Sequence, residues 1–441
     1  MPDSRFATLD DWLRWQETLH PRTIDLGLER VRTVLRRLQP EPSPHIAITV
    51  GGTNGKGSCV ALLEAILRAA GYRVGAYTSP HLLRYNERIR IDGAAASDDA
   101  LCRVFARIDA ARGDISLTYF EFGTLAALEL FHEADVEVAL LEVGLGGRLD
   151  AVNIVDADAA LVVSIGLDHT DWLGPDRDSI GFEKAGIYRA GQPAICADPD
   201  PPRRLVEYAR DIGATYRQVD LDYGFERTGR TWRWWADELR FDDLPPPGLA
   251  GSHQIGNAAA VLMTLASLRD RLPVTAAAIR VGLARAELPG RLQSISGPVE
   301  WILDVAHNPH SAAVLAAHLR ERPCTGQTRA VIGLLADKDA SGVVRALTGL
   351  IDVWHPVMLT GPRSGSGDEL ARALRDVDAP APTDVASACR AARTAGRARG
   401  AARGPTGPGH RVPPARHRPP TSPAPAESPG PPLGPATASS Y

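Results

Sequence analysis

Nowhere in the 441 residues does an unbroken apolar run approach the eighteen or more that a membrane-spanning helix needs. The opening, MPDSRFATLDDWLRWQETLH, is polar and acidic and holds no hydrophobic stretch of signal-peptide kind. Cysteine is sparse: Cys59, Cys102, Cys196, Cys324 and Cys389 are odd in number, scattered and never in a C-x-x-C pair. That spacing suits free thiols in a reducing compartment better than a disulfide framework or a cysteine zinc site. A large excess of one charge is missing too. With 49 Lys plus Arg against 53 Asp plus Glu, the formal net charge is -4, which argues against a nucleic-acid-binding body. The expectation is a cytoplasmic protein with no membrane and no nucleic-acid partner, and a monomer by default.

What is present is ordinary globular material, with 44% hydrophobic and 23% charged residues in a chain long enough for two domains. The runs HIAITV (45–50), YRVGAYT (72–78), VEVALLEVG (136–144) and AALVVSIG (159–166) read as strands buried on both faces. Residues 58–70 and 121–134 carry helical spacing between them, so the fold class is α/β with a parallel, doubly wound sheet. At 216–247 the texture becomes alternating and aromatic, YGFERTGRTWRWWADELRFDDL, which predicts an antiparallel ribbon closed by PPPG. A helix is expected over 253–268, and the α/β rhythm restarts at EWILDVAHNPHSAAVLAAHL. The expected domains are therefore 1–296 and a smaller Rossmann-like 297–394, hinged at Gly297-Pro298.

From about 395 the chain is Ala, Arg, Gly and Pro with a single acid, Glu427. Such a composition cannot bury enough apolar surface to offset ordering entropy, so 395–441 is expected to be a disordered Pro/Arg-rich tail. A basic arm is one reading of it; translation of a GC-rich gene in a shifted frame, or a degenerated terminus, is the preferred one.

The densest signal is ITVGGTNGKGSCVALLEAIL (48–67), a strand, a glycine-rich loop and a helix. Backbone amides of Gly52, Thr53, Asn54, Gly55 and Gly57 can face an anion that also meets the helix N-terminus. Lys56 adds a charge for β/γ-phosphates, and Ser58 can reach phosphate or metal. The spacing is not the strict G-x-x-x-x-G-K-[ST] loop, because Gly57 separates Lys56 from Ser58 and Val50 stands where the first glycine belongs.

T-N-G-K-G-S after a strand resembles the ATP loop of the Mur ligase superfamily. HPRTIDLGLERV (20–31), SPHLLRYNERIRIDG (79–93), SLTYFEFGT (116–124), LEVGLGGRLDAVNIV (141–155), SIGLDHTDWLG (164–174), FEKAGI (182–187), LPGRLQ (288–293) and LDVAHNPHSA (303–312) narrow the match. They are similar to the folylpolyglutamate synthases, and most to the bacterial bifunctional dihydrofolate synthase/folylpolyglutamate synthases, over residues 10 to about 390. The resemblance implies an ATP- and Mg²⁺-dependent ligase that activates a carboxylate as an acyl phosphate. It would join L-glutamate to 7,8-dihydropteroate and to the γ-carboxyl of reduced folates. A ligase acting on a peptidoglycan precursor would need an extra N-terminal nucleotide-sugar domain, for which a loop at residue 51 leaves no room.

Read on their own, several residues stay open. Glu142 ends a buried strand, where open α/β sheets put ligands, or is a capping or ion-paired acid. Ser79 before Pro80 reads as a turn serine, His169 as a structural histidine, and Lys184 as a surface lysine paired with Glu183. Arg291 suits phosphate through its forked, permanent charge, or an interdomain salt bridge. Phe120, Tyr119 and Phe122 can stack a flat ring or fill a core.

The resemblance implies roles for them. Ser79, Glu142 and His169 would hold metal at two sites, and Lys184 would be carbamylated, turning a cation into an oxygen-bearing anion. Asn257, Arg291 and Asp304 would meet nucleotide, while Phe120, Gly146 and Arg148 would meet the pterin. Lys56, His169, Lys184 and His307 would be catalytic. The family's second domain normally closes with a further apolar strand and a Gly-Ser-type turn, where this chain has its Pro/Arg tail. That departure falls on the glutamate-binding part and leaves the alternative of a crippled ATP- and pterin-binding protein.

Overall fold

The computed structural model describes residues 5–41, 43–360, 364, 367–375, 377 and 379–398. Its main sheet has eight strands: β1 Ile46–Gly51, β2 Val74–Tyr77, β3 Ile89–Ile91, β4 Ala94–Ala95, β5 Val138–Glu142, β6 Ala159–Val162, β7 Pro193–Cys196 and β8 Thr215–Gln218. The order is β4-β3-β2-β5-β1-β6-β7-β8. Pairing is parallel from β2 through β8, and β3 and β4 return antiparallel at one edge. The four long apolar runs are the four central strands, as the sequence pattern predicts.

Burial on both faces follows from the two-residue strand period. In β5, Val138 and Leu140 point into one core, while Ala139 and Leu141 point into the other. The first core packs the helices Lys56–Ala69 and His253–Ser267 against the sheet together with Trp232 and Trp234. Those tryptophans belong to the antiparallel ribbon Tyr223–Thr228, Thr231–Ala236 and Leu239–Leu244. Alternate positions dive inward, so Trp232 and Trp234 are buried while Trp235 is exposed. Each buried indole N–H is satisfied, Trp234 by the Ala259 carbonyl at 3.0 Å and Trp232 by that of Pro245 at 2.8 Å. The second core lies under Trp12, Val31, Phe105 and Phe122, from the helices Leu9–Leu19, Glu29–Leu38, Asp98–Arg112 and Tyr119–Glu133.

Register sets the site. Val50 pairs with Glu142 and Gly51 with Val162, so β1, β5 and β6 end together at the carboxyl edge. The phosphate loop, Glu142 and the segment 163–169 therefore emerge side by side, where a parallel sheet presents ligands.

Contacts divide the chain into two units. The first runs to Pro323 and includes Lys338–Leu350; the second comprises Cys324–Asp337 and the chain from Ile351. In the first unit Gln293–Ile295 pairs antiparallel with Trp301–Leu303, followed by the helices Pro309–Glu321 and Ala340–Leu347. In the second, Arg329–Ile332 pairs parallel with Val353–Pro356, and the helix Val385–Ala398 ends the described chain. That helix runs through the first four positions expected to be tail; 399–441 lie outside the described residues. Among the described residues no helix is long and apolar enough to cross a membrane.

Candidate active site

β1 delivers the chain into the loop 52–55, and the helix beginning at Lys56 leaves it. Gly55 is left-handed, at φ 89°, and an added Cβ would sit 2.8 Å from Val163 Cγ1. Only glycine fits that turn without strain. The loop is tied to the segment after β6: the amide of Thr53 donates to the Ser164 carbonyl at 2.7 Å, and that of Asn54 to Ser164 Oγ at 3.1 Å. These two amides, expected to face an anion, are turned to the protein instead. The first-turn amides of Lys56, Gly57 and Ser58 have no acceptor within the helix and keep that role. Lys56 Nζ donates to the carbonyls of Gly52 and Thr53 at 3.0 and 3.3 Å. Its burial lowers its pKa, against the pull of Glu142 and Asp168.

A cleft opens over this loop. Its wall includes the loop residues 52–58, Ser79, Glu142, Gly144–Gly146, His169, Lys184, Arg291, Asp304 and His307. Of the expected site residues, these are brought together. Glu142 is buried, with Oε2 accepting the Ser79 amide at 3.2 Å, and burial raises its pKa. The Ser79 hydroxyl is buried beside it with no hydrogen-bond partner among the described residues. A buried orphan hydroxyl next to a buried carboxylate lacks something that both could bind.

Lys184 lies in the last turn of the helix Arg177–Ala185 and is 4% exposed. Its expected surface pairing with Glu183 does not form, because Glu183 takes Arg148 at 2.8 Å. Burial, and then Lys56 nearby, push the Lys184 amine down to about 7. His169 caps the short helix Thr170–Leu173 in a left-handed conformation at φ 53°. Burial first, then Lys338, lower it to about 4, so the imidazole is neutral at neutral pH. Among the described residues no three His, Cys, Asp or Glu cluster as a metal cage. A metal here would draw on hydroxyl, carboxylate and substrate oxygens, which is magnesium's preference.

Arg291 is half-buried in the wall and makes no ion pair among the described residues, so the salt-bridge alternative fails there. Asp304 accepts the amides of Leu292 and Ala306 at 2.9 and 2.8 Å. The other expected residues stand behind the wall. Asn257 supports Gly55 from beneath and donates to Gln254 at 2.9 Å. Phe120 packs over Gly144, where an added Cβ would meet its ring at 2.7 Å, and the Arg148 guanidinium is spent on Glu183.

Three charged residues were missed by sequence reasoning. Asp150 is buried under the GLGGRLD turn, accepts the amides of Leu145 and Val152 at 2.8 and 3.1 Å, and is pushed up to about 7 by burial. Asp168 lies on the wall next to His169, and Lys338 is buried behind it at 2.9 Å. Asp168 stood in plain view inside LDHTD. Lys338 had no local signal, since it lies 170 residues away from its partner.

A family model for the Mur ligase glutamate ligase domain matches residues 290–401. The dihydrofolate synthase/folylpolyglutamate synthase of Escherichia coli strain K12 is 48% identical over 369 residues, covering 83% of this chain and 86% of that one. The chain belongs to the dihydrofolate synthase/folylpolyglutamate synthase family. Its member from Haemophilus influenzae is 44% identical, with 84% and 87% covered. Solved members of the family match most of the chain. Escherichia coli FolC in complex with DHPP and ADP gives a TM-score of 0.84 at 46% identity, covering 89% of this chain and 92% of that one. A bifunctional folylpolyglutamate synthase/dihydrofolate synthase with Mn, AMPPNP and L-glutamate bound gives 0.82 at 48% identity, with 89% and 93% covered.

Proposed function

We infer that the protein is an ATP-dependent carbon–nitrogen ligase that joins L-glutamate to 7,8-dihydropteroate and to the γ-carboxyl of reduced folates. The observation that carries this reading is the single cleft that gathers Lys56 at a helix N-terminus, Glu142 beside the unpartnered Ser79 hydroxyl, and the buried Lys184.

In the first half-reaction a substrate carboxylate oxygen attacks the γ-phosphorus of ATP, the bond to ADP breaks, and an acyl phosphate forms. In the second the glutamate amine attacks the acyl carbon, the bond to phosphate breaks, and the amine proton passes to solvent. Lys56 exchanges its two loop carbonyls for phosphate oxygens, and the first-turn amides hold the same group. Arg291 meets developing negative charge with a permanent cation.

A divalent metal belongs to this chemistry. We propose Mg²⁺ at two sites, the first held by Ser79 and Glu142 and the second by Glu142 and the neutral His169. When bound, it neutralises charge on the phosphoryl oxygens. The neutral fraction of Lys184 permits carbamylation, which would complete the second site with a further oxygen anion. His307 and Asp304 take the nucleotide, and Asn257 positions Gly55 beneath it. The Phe120–Gly144 contact lies where the pterin would stack, next to Gly146, while Arg148 holds the loop through Glu183.

An ATP-binding body over 1–296 and a ligase domain over 297–394 remain our proposed division, supported by a family match that begins at 290. A monomer in the cytoplasm is proposed with it. The test is ADP release with ATP and Mg²⁺, adding dihydropteroate and L-glutamate separately and together. Release that requires both is expected; nucleotide binding without turnover would favour the crippled alternative.

A further inference from the structure

The chain has three lysines among its 49 Lys and Arg residues: Lys56, Lys184 and Lys338. All three lie in the field of one carboxylate, Asp168. Lys56 and Lys184 line the cleft, whereas Lys338 is buried behind Asp168, just before the helix Ala340–Leu347. Asp168 accepts Lys338 Nζ on Oδ1 at 2.9 Å and Asn308 Nδ2 on Oδ2 at 3.0 Å, and its Oδ2 lies 3.4 Å from His307 Nε2.

Asn308 does three jobs. Its Oδ1 caps the helix Pro309–Glu321 by accepting the Ser311 amide at 2.9 Å. Its side-chain amide also exchanges two hydrogen bonds with that of Asn54, at 3.2 and 3.3 Å, and it donates to Asp168. A continuous run of polar contacts thus joins Lys338 to the phosphate loop through Asp168, Asn308 and Asn54.

We propose that Lys338 is a positioning residue that holds Asp168 on Asn308 and keeps it from pairing with Lys56. The inference rests on the ligase reading for its purpose, but not for its test. Asp168 and the phosphate-loop lysine line the same cleft, and a carboxylate free to turn towards Lys56 would take up charge that the triphosphate needs. The compact three-donor ammonium of Lys338 holds one carboxylate oxygen while the other stays on Asn308. Partners that orient a metal ligand matter by about 10–100-fold in metal affinity, and an effect of that order on the nucleotide is expected here.

The experiment is calorimetric titration of Mg·ADP into the full chain and three variants: Lys338→Met, Asp168→Asn and the double variant. Lys338→Met should weaken binding at least tenfold. In the Asp168→Asn background the same change should alter binding less than twofold, because an amide cannot neutralise Lys56. Lys338→Arg should recover part of the loss. The inference is overturned if Lys338→Met binds within twofold of the parent, or if it costs a further tenfold on top of Asp168→Asn. Should Lys338→Met not fold, Asp168→Asn against the double variant, an uncharged buried pair, decides alone: near-equal binding supports the inference and a tenfold gap overturns it. Failure of the ligase reading would appear separately, as a parent protein that binds Mg·ADP but never turns over with dihydropteroate and L-glutamate.

Discussion

Burial turns Lys184 into a different chemical group from a surface lysine. An amine held near 7 is neutral often enough to add CO₂, whereas an ordinary lysine is not. Ligation should therefore climb as the pH rises through 7. The protein should show a carbamate carbon by NMR when supplied with ¹³C-bicarbonate, and Lys184→Ala should lose that signal together with roughly 100-fold or more of the turnover. An unlabelled Lys184 in a fully active enzyme would end the carbamate proposal.

Asp150 carries a pH signature of the opposite sense. Raised to about 7 by burial, it keeps in the folded protein a proton that the unfolded chain releases. Its contribution to stability is complete below the ordinary aspartate range and is lost as the pH rises to 7. Asp150→Asn gives up hydrogen bonds from the Leu145 or Val152 amides, so it should be the less stable protein at pH 5. The gap in melting temperature should narrow by several degrees at pH 8. A gap that stays constant between the two would mean that Asp150 is ionised throughout. Neither residue could be assigned this character from neighbours in sequence: Lys184 follows Glu183 in the chain, but Glu183 turns to Arg148.

Among the elements, the phosphate loop was the most legible, because its glycines are demanded by backbone geometry rather than by distant packing. Gly55→Ala tests that demand. A side chain at φ 89° costs about 1–2 kcal/mol in backbone strain, before its 2.8 Å approach to Val163 is counted. Mg·ADP affinity should fall at least tenfold and the melting temperature should drop, read by calorimetry and a thermal scan. Undiminished affinity would show that the loop can adopt another path. The central strands were legible for a similar reason, since continuous apolar runs bounded by glycine or charge leave few alternatives. β3, β4, β7 and β8 were not: IRI, AA, PAIC and TYRQ lack the long continuous apolar runs that mark the central strands.

At the scale of the whole molecule, nucleotide binding and folding are linked. If the cleft takes Mg·ADP only when β1, β5 and β6 end together, nucleotide at 100 times its dissociation constant adds about 2.7 kcal/mol of stability. The melting temperature should rise by about 3 °C with Mg²⁺ and by less with EDTA. An equal rise in both would count against a metal in the nucleotide site. Composition, the run of strands and helices, the phosphate loop and the family were all fixed by local order along the chain. They depend on neighbouring residues: apolar periodicity, turn chemistry and motif spacing. What only the tertiary structure decided was the company each charge keeps. The burial of Lys184, the orphaned Ser79 hydroxyl and the meeting of Asp168 with Lys338 arise from strand register and helix packing, which bring together residues that local sequence cannot relate.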